Sequence, residues 1–577
     1  MSMSMSMSPP SPPRFPSSPD PIRWWGRVTP ERLALVDRGR DQRLTYRELD
    51  ALAEAWRAVL VAHGVGRGDR VATLAGNRAA QPALLYACGR LGAALVPLNW
   101  RLAPPELARI VANTRATVVV GEGRFRALAE SAQVEQGGAR WIEMSDTGDA
   151  PPATRLPTGA TTGGVGAVSQ LAADVRLDGE EAALILYTSG STGVPKGAVL
   201  PHRQLFYNAV ATTVAWELGA GDIAPVSTPF FHTGGWNVFA TPLWQHGGRV
   251  VLFDQFDPAG YLEGLAAERC TVALTVPTQL VMLLESSAWG TPVPSLRYFI
   301  SGGAPCPVSV MDRVRQAGFA MTEGFGLTEC GPNCFVMPIG ESTRRAGRVG
   351  WPVPFLEMRL ADPQGGDVDP GEAGELLLRG PQLFSGYLDD PVGTAESLDA
   401  EGYFRTGDLA RRDADGAYAI CGRRKEMFIS GGENVYPGEV ESALIAHPSV
   451  ADVAVVGVPD ARWGEVGRAF IVPRRGATIE PDELLRWARA SLAAYKIPRL
   501  VSVIDMLPTL GSGKVDRATL AALANVANVA NGLNVPSASA SVSASVSASV
   551  SASVSASVSA SVSASVSANV SRDDAPS

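Results

Sequence analysis

The chain lacks the marks of a nucleic-acid, membrane or disulfide-built protein. Its 577 residues include six cysteines and five histidines. Cys88, Cys270, Cys306, Cys330, Cys334 and Cys421 are scattered, without the spacing of a disulfide framework. No histidine lies near Cys330 and Cys334, which argues against a zinc pair. Reduced thiols in a cytosolic protein fit better. The net charge is −8, with acids and bases mixed along the chain. That leaves no basic footprint for nucleic acid. No apolar run reaches the roughly 18 residues that span a bilayer. Met1 to Pro19 repeats Met-Ser and then turns Ser/Pro-rich, without the basic start and apolar core of a signal peptide. The closing Asp-Ala-Pro-Ser is not a peroxisomal address. These absences point to the cytoplasm.

Hydrophobic content of 46% and charge of 19% are ordinary for a globular protein. The length is too great for one core, so two or more domains are expected. Leu44 to Leu60 has helical apolar spacing, and Thr45 with Glu48 matches a capping box. Asp69–Leu74, Ala93–Leu98 and Thr117–Val120 read as strands, with Gln81–Leu91 as a helix between the first two. This alternation predicts a parallel sheet with crossover helices. After Gly/Ala/Thr-rich sequence at 145–170, strands are expected at Leu184–Tyr187, Arg249–Phe253, Val272–Val276 and Tyr298–Ser301. From about 356 to 420, short strands and turns predict a small β-rich subdomain. Residues from 422 onward predict a small α+β domain, with helices at Glu439–His447 and Pro481–Leu492 and strands at Asp452–Gly457 and Glu465–Pro473. Ser537 to Ala568 is essentially repeated Ser-Val-Ser-Ala, without charge or aromatics, and cannot build a core. Its period-2 alternation also suits strand pairing or self-association.

Residues 187–199 read Tyr-Thr-Ser-Gly-Ser-Thr-Gly-Val-Pro-Lys-Gly-Ala-Val, after an apolar run from Ala182 to Leu186 that predicts a buried strand. Glycines and hydroxyls suit a loop whose N–H groups surround a phosphate. Ser189, Ser191 and Thr192 supply donors, and Lys196 a positive charge. This is not a Walker A loop, because Gly197 follows Lys196 where Ser or Thr is required. Further motifs follow in order: Ser301-Gly302-Gly303-Ala304-Pro305, then Gly324-Phe325-Gly326-Leu327-Thr328-Glu329. Tyr403 to Leu409 contains Asp408, and a carboxylate suits both ribose hydroxyls. Gly422-Arg423-Arg424-Lys425-Glu426 precedes a Gly431-Gly432 pair, and Gly511-Ser512-Gly513-Lys514 lies near the end.

Taken together, these motifs resemble the adenylate-forming enzymes, in the branch of acyl- and aryl-CoA synthetases. The resemblance spans roughly Pro21 to Leu520. It implies an α/β fold: a large N-terminal AMP-binding domain with α/β sheets and a β-rich subdomain over 21–421, then a small mobile α+β C-terminal domain over 422–520. Residues 1–20 and 521–577 would be a disordered segment and a low-complexity tail. The implied reaction joins a carboxylic acid to coenzyme A. ATP and Mg²⁺ first give acyl-AMP and pyrophosphate; CoA then takes the acyl group and AMP leaves. Thr188, Ser189, Gly190, Ser191, Thr192, Gly193 and Lys196 would hold phosphates. Gly302, Gly303 and Ala304, with Gly324, Phe325 and Gly326, would form the adenine pocket. Thr328 would bind a phosphate oxygen and Glu329 would hold Mg²⁺. Asp408 would anchor the ribose, and Arg423 would contact the nucleotide.

The same resemblance makes Lys425 the hinge and Gly431 with Gly432 a lining of the CoA channel. Lys514 would bridge carboxylate and α-phosphate, offsetting charge in the transition state. One domain would then serve two half-reactions by turning. Phe231 and His232, in Phe-Phe-His-Thr-Gly-Gly-Trp-Asn, together with Val276 and Pro277, would shape the acyl pocket, which suits a fatty or aryl acid. An acid that could hold an α-amino group is absent from the His232 motif, against an amino-acid substrate. Two alternatives stay open: loading of a separate carrier protein, and a non-catalytic ligase-like scaffold. A homo-oligomer is compatible with both.

Overall fold

The computed structural model describes residues 20–145, 151, 178–188, 195–460, 462–490, 492–509 and 515–530, with backbone alone for 525–530. A seven-stranded sheet forms the first layer of the large domain. Its order is Gly386–Tyr387, Lys196–Pro201, Ala182–Thr188, Ala94–Pro97, Arg70–Leu74, Val118–Glu122 and Arg140–Met144. The inner pairs are parallel, while Lys196–Pro201 and Gly386–Tyr387 run antiparallel at one edge. Residues 187–199 were expected as one loop. Instead the first strand continues to Thr188, and Lys196 opens the next, with Thr188 opposite Lys196. Ladder bonds along an apolar strand outweigh the turn propensity of its glycine.

A second sheet places Gln42–Thr45, Leu33–Asp37, Arg249–Leu252 and Ile223–Val226 side by side. A third sets Val272–Thr275, Tyr298–Ser301 and Met321–Glu323 in parallel. Helix Tyr46–Ala62 has both bonds of the Thr45–Glu48 capping box. Helix Ala80–Leu91 is buried at every position but Tyr86, which suits a helix without a polar face. Gly92, at φ +70°, ends it in the left-handed region.

The β-rich subdomain is a four-stranded antiparallel sheet of Glu357–Ala361, Ala373–Arg379, Phe404–Arg412 and Tyr418–Arg423. The C-terminal domain has a five-stranded sheet built around Val450–Asp460 and Gly464–Pro473, covered by Pro437–Ile445, Pro481–Arg489 and Arg517–Ala530. That last helix runs past Leu520, where the low-complexity tail was expected to begin. Leu520 and Ala524 are fully buried, so apolar contacts carry the helix onward. No helix among the described residues is long and apolar enough to cross a membrane.

Candidate functional site

Three parallel strands end together and gather motifs that lie far apart in the sequence. Thr275, Ser301 and Glu323 stand in register at the carboxyl ends of Val272–Thr275, Tyr298–Ser301 and Met321–Glu323. Val276-Pro277, Gly302-Gly303-Ala304 and Gly324-Phe325-Gly326 follow them directly. Carboxyl ends of parallel strands are where open α/β sheets bind ligands. The Gly302 N–H donates to Thr275 O at 3.2 Å, and Gly324 N–H to Ser301 O at 2.8 Å. Gly303 has φ +83° and faces Val276. A Cβ on Gly326 would lie 2.2 Å from the Pro332 carbonyl carbon, so the turn closes only on glycine. The Phe325 ring packs 5.7 Å from that of Phe335. Burial raises the Glu323 carboxyl above its ordinary range, although Cys306 N–H donates to it at 2.9 Å.

Thr328 and Glu329 lie on the short turn Thr328–Cys330. Gln204 Nε2 donates to Thr328 O at 2.9 Å, and Phe384 N–H to Glu329 O at 2.7 Å. Glu329 is 8% exposed. Tyr387 Oη donates to its Oε1 at 3.0 Å. Lys196 Nζ lies 4.9 Å from the centre of the Tyr387 ring and 2.8 Å from Asp390 Oδ2. The lysine holds the Asp390 carboxyl below its usual range. Burial, then the Glu329 charge, pushes the Tyr387 phenol well up, so it stays a donor. Among the described residues, no three His, Cys, Asp or Glu side chains cluster as a metal site. The Glu329 carboxylate is an oxygen donor of the kind that suits a hard cation such as Mg²⁺.

Asp408 and Arg423 face each other across Phe404–Arg412 and Tyr418–Arg423. Arg423 Nε is 2.8 Å from Asp408 Oδ1, and its Nη1 donates to Thr406 O at 3.1 Å. Cys330 is fully buried; burial raises its thiol well up, and the charges of Glu329 and Asp408 both add to that.

The His232 segment follows Ile223–Val226. Pro229 and its two glycines suit a loop, but Gly234–Val238 winds into a π-helical turn, a form often found at functional sites. Trp236 Nε1 donates to Phe230 O at 2.5 Å, anchoring the turn from within. Phe231 packs on His232 at 4.7 Å and edge-on to Trp100 at 6.0 Å, with Arg101 over both aromatic rings. Asn77 holds the segment: its Oδ1 accepts from Phe230 N–H at 3.1 Å, and its Nδ2 donates to Thr228 O at 3.0 Å. Pro225, Val226, Thr228, Gly234, Phe239 and Leu274 close around a shallow indentation with no room for a water molecule.

Lys425 is exposed on the turn Arg424–Glu426. Gly431 and Gly432 have φ +63° and +89°. They sit in the small domain, where Gly431 N–H donates to Trp463 O at 2.9 Å. Ser189, Gly190, Ser191, Thr192, Gly193 and Lys514 lie outside the described residues. Asn77, Tyr387 and Asp390 were not anticipated. Asn77 follows the end of a parallel strand, the one signal that could have drawn attention to it.

The AMP-binding enzyme model matches residues 22–388, and the AMP-binding enzyme C-terminal domain model matches 439–514. The chain belongs to the AMP-binding enzyme family. It is 39% identical over 493 residues to a feruloyl-CoA synthase of Amycolatopsis sp, covering 85% of this chain and 95% of that protein. An indoleacetate–CoA ligase of Aromatoleum aromaticum is 37% identical over 473 residues, covering 82% and 91%. Among solved structures, o-succinylbenzoate CoA synthetase from Bacillus subtilis, in complex with its acyl-adenylate intermediate, superposes with a TM-score of 0.76. It is 28% identical, with 88% of this chain and 98% of that one covered. Within the AMP-binding family, this chain is an AMP-forming acid–thiol ligase of the acyl- and aryl-CoA synthetase branch. ATP is its nucleotide substrate.

Proposed function

We propose that the protein joins an aryl-substituted carboxylic acid to coenzyme A. The carrying observation is the convergence of Gly302, Gly324 and Val276 at one sheet edge, continuous with the Thr328–Glu329 turn. The adenine lies between the Gly302-Gly303-Ala304 turn and Phe325. Asp408, steadied by Arg423, takes the ribose hydroxyls. Lys196, Thr328 and the loop of Thr188 to Gly193 take the phosphates. Glu329 holds Mg²⁺, which neutralises phosphate charge. The acid enters beside Phe231, His232, Val276 and Pro277. Lys514 reaches the forming acyl-phosphate bond, where it offsets charge. The domain from 422 to 520 then turns about Lys425, and Gly431-Gly432 lines the path of CoA. Removing the nucleotide-bound domain face lets one site serve both steps.

The aryl preference is supported by the feruloyl and indoleacetate ligases, both acting on aromatic acids by name. The test is a pooled panel of aryl, fatty and amino acids with ATP, Mg²⁺ and CoA, read by mass spectrometry. An aryl-CoA with matching AMP is expected. A fatty acyl-CoA as the main product would overturn the aryl assignment. Acyl-AMP without thioester would replace CoA by a carrier-protein thiol.

A further inference from the structure

Tyr387 touches two charges of opposite sign. Its hydroxyl donates to Glu329 Oε1 at 3.0 Å, while its ring face lies 4.9 Å from Lys196 Nζ. Asp390 Oδ2 closes on the same ammonium at 2.8 Å. The four side chains run as Asp390, Lys196, Tyr387 and Glu329. They link the start of the phosphate-loop strand to the metal-candidate carboxylate.

The segment that carries Tyr387 is held on both sides. Ser385 N–H donates to Val199 O at 2.9 Å, Leu388 N–H to Gly197 O at 2.7 Å, and Phe384 N–H to Glu329 O at 2.7 Å. Tyr387 N–H donates to Thr394 Oγ1 at 2.8 Å, and that hydroxyl donates to Asp390 O at 2.7 Å. Gly393 N–H fixes Asp390 Oδ1 at 2.8 Å. These bonds fix the backbone that carries Tyr387 and the carboxylate of Asp390. Space-filling alone does not account for the phenol, because a phenylalanine ring would pack equally on Phe384, 4.9 Å away.

We propose that Tyr387 is a positioning residue, aligning Glu329 and Lys196 so that metal and triphosphate meet them together. The proposal rests on the site reading above. The phenol's bond to Oε1 fixes the plane in which the Glu329 carboxylate can present itself to a cation. Partners that orient a metal ligand commonly change metal affinity by 10- to 100-fold when removed. The ring, meanwhile, keeps the ammonium over its face. One side chain therefore sets the spacing between cation and carboxylate.

The test uses the full chain and Mn²⁺ as the probe, titrated by electron paramagnetic resonance in the presence of a non-hydrolysable ATP analogue. Analogue binding without metal is measured in parallel, and circular dichroism checks the fold. Tyr387→Phe should weaken Mn²⁺ binding about tenfold and leave metal-free analogue binding within about twofold, since the ring remains. Tyr387→Leu should weaken both. Glu329→Gln is the reference. Wild-type Mn²⁺ binding in Tyr387→Phe, with loss in Glu329→Gln, overturns the proposal and leaves the site reading standing. Wild-type binding in both variants overturns the two together.

Discussion

Arg423 Nε lies 2.8 Å from Asp408 Oδ1, and the two residues are opposite each other in paired strands. The carboxylate is 4% exposed, whereas the arginine side chain is 41% exposed. The arginine thus reaches from the surface to steady a buried acid, the residue proposed to take the ribose hydroxyls. Asp408→Asn should raise the KM for ATP by at least tenfold, leaving the KM for the acid within about twofold. Arg423→Ala should raise the KM for ATP several-fold. It should cost about 1 kcal/mol of stability, a low figure because water screens the pair. Pyrophosphate-exchange kinetics and denaturant melts give both numbers.

Gly326→Ala should damage the site through the backbone. The new methyl would sit 2.2 Å from the Pro332 carbonyl carbon and 2.6 Å from Gly331 O. The turn between them carries Thr328 and Glu329, so relief of the clash displaces both. A stability loss of about 1–3 kcal/mol is expected, with a fall in the adenylation rate. Gly340→Ala is the control, because nothing lies within 4 Å of its Cβ position. Equal activity in the two variants would contradict the account.

Asn77 is 2% exposed and brackets the His232 segment. Asn77→Ala leaves buried backbone groups unpaired, at about 1–3 kcal/mol each. The KM for the acid should rise more than that for ATP, since the segment carries Phe231 and His232 of the proposed acyl pocket. Steady-state kinetics with each substrate varied in turn checks this. A larger effect on ATP would place Asn77 elsewhere in the mechanism.

His202 gives the fold a pH dependence unrelated to catalysis. Burial lowers its pKa from 6.5 to about 4. The unfolded chain therefore takes up the proton first as pH falls. The neutral-imidazole contribution is complete above about pH 6.5 and is lost between there and pH 4. The integrated loss is roughly 3 kcal/mol. His202→Gln should melt with a flatter profile across that window. A parallel profile would show that the buried imidazole does not control it.

Much of the local structure was legible because local physics sets it. Thr45 and Glu48 spelled a helix start, and the apolar runs near Val71, Leu95 and Val119 spelled buried strands. Glu329, Asp408 and Lys196 stood out in the sequence as candidates, since their motifs and order are specific. Their mutual arrangement was not. Tyr387 meets Glu329 across 58 positions of sequence, and its two-residue strand is too short to leave a periodic pattern. The π-helical turn at Gly234–Val238 was hidden for a similar reason: glycines predict a loop, whereas buried Trp236 and Asn237 determine how it winds. Helix Arg517–Ala530 outran its expected end because burial of Leu520 and Ala524 is a tertiary effect.

The central claim is acid activation through an acyl adenylate, and omission of CoA tests it most directly. Pure protein is mixed with ATP, Mg²⁺ and ferulic acid, and the products are read by mass spectrometry. Feruloyl-AMP and pyrophosphate in equal amounts are predicted, with feruloyl-CoA and AMP appearing once CoA is added. Release of ADP and phosphate in place of AMP and pyrophosphate would contradict the account.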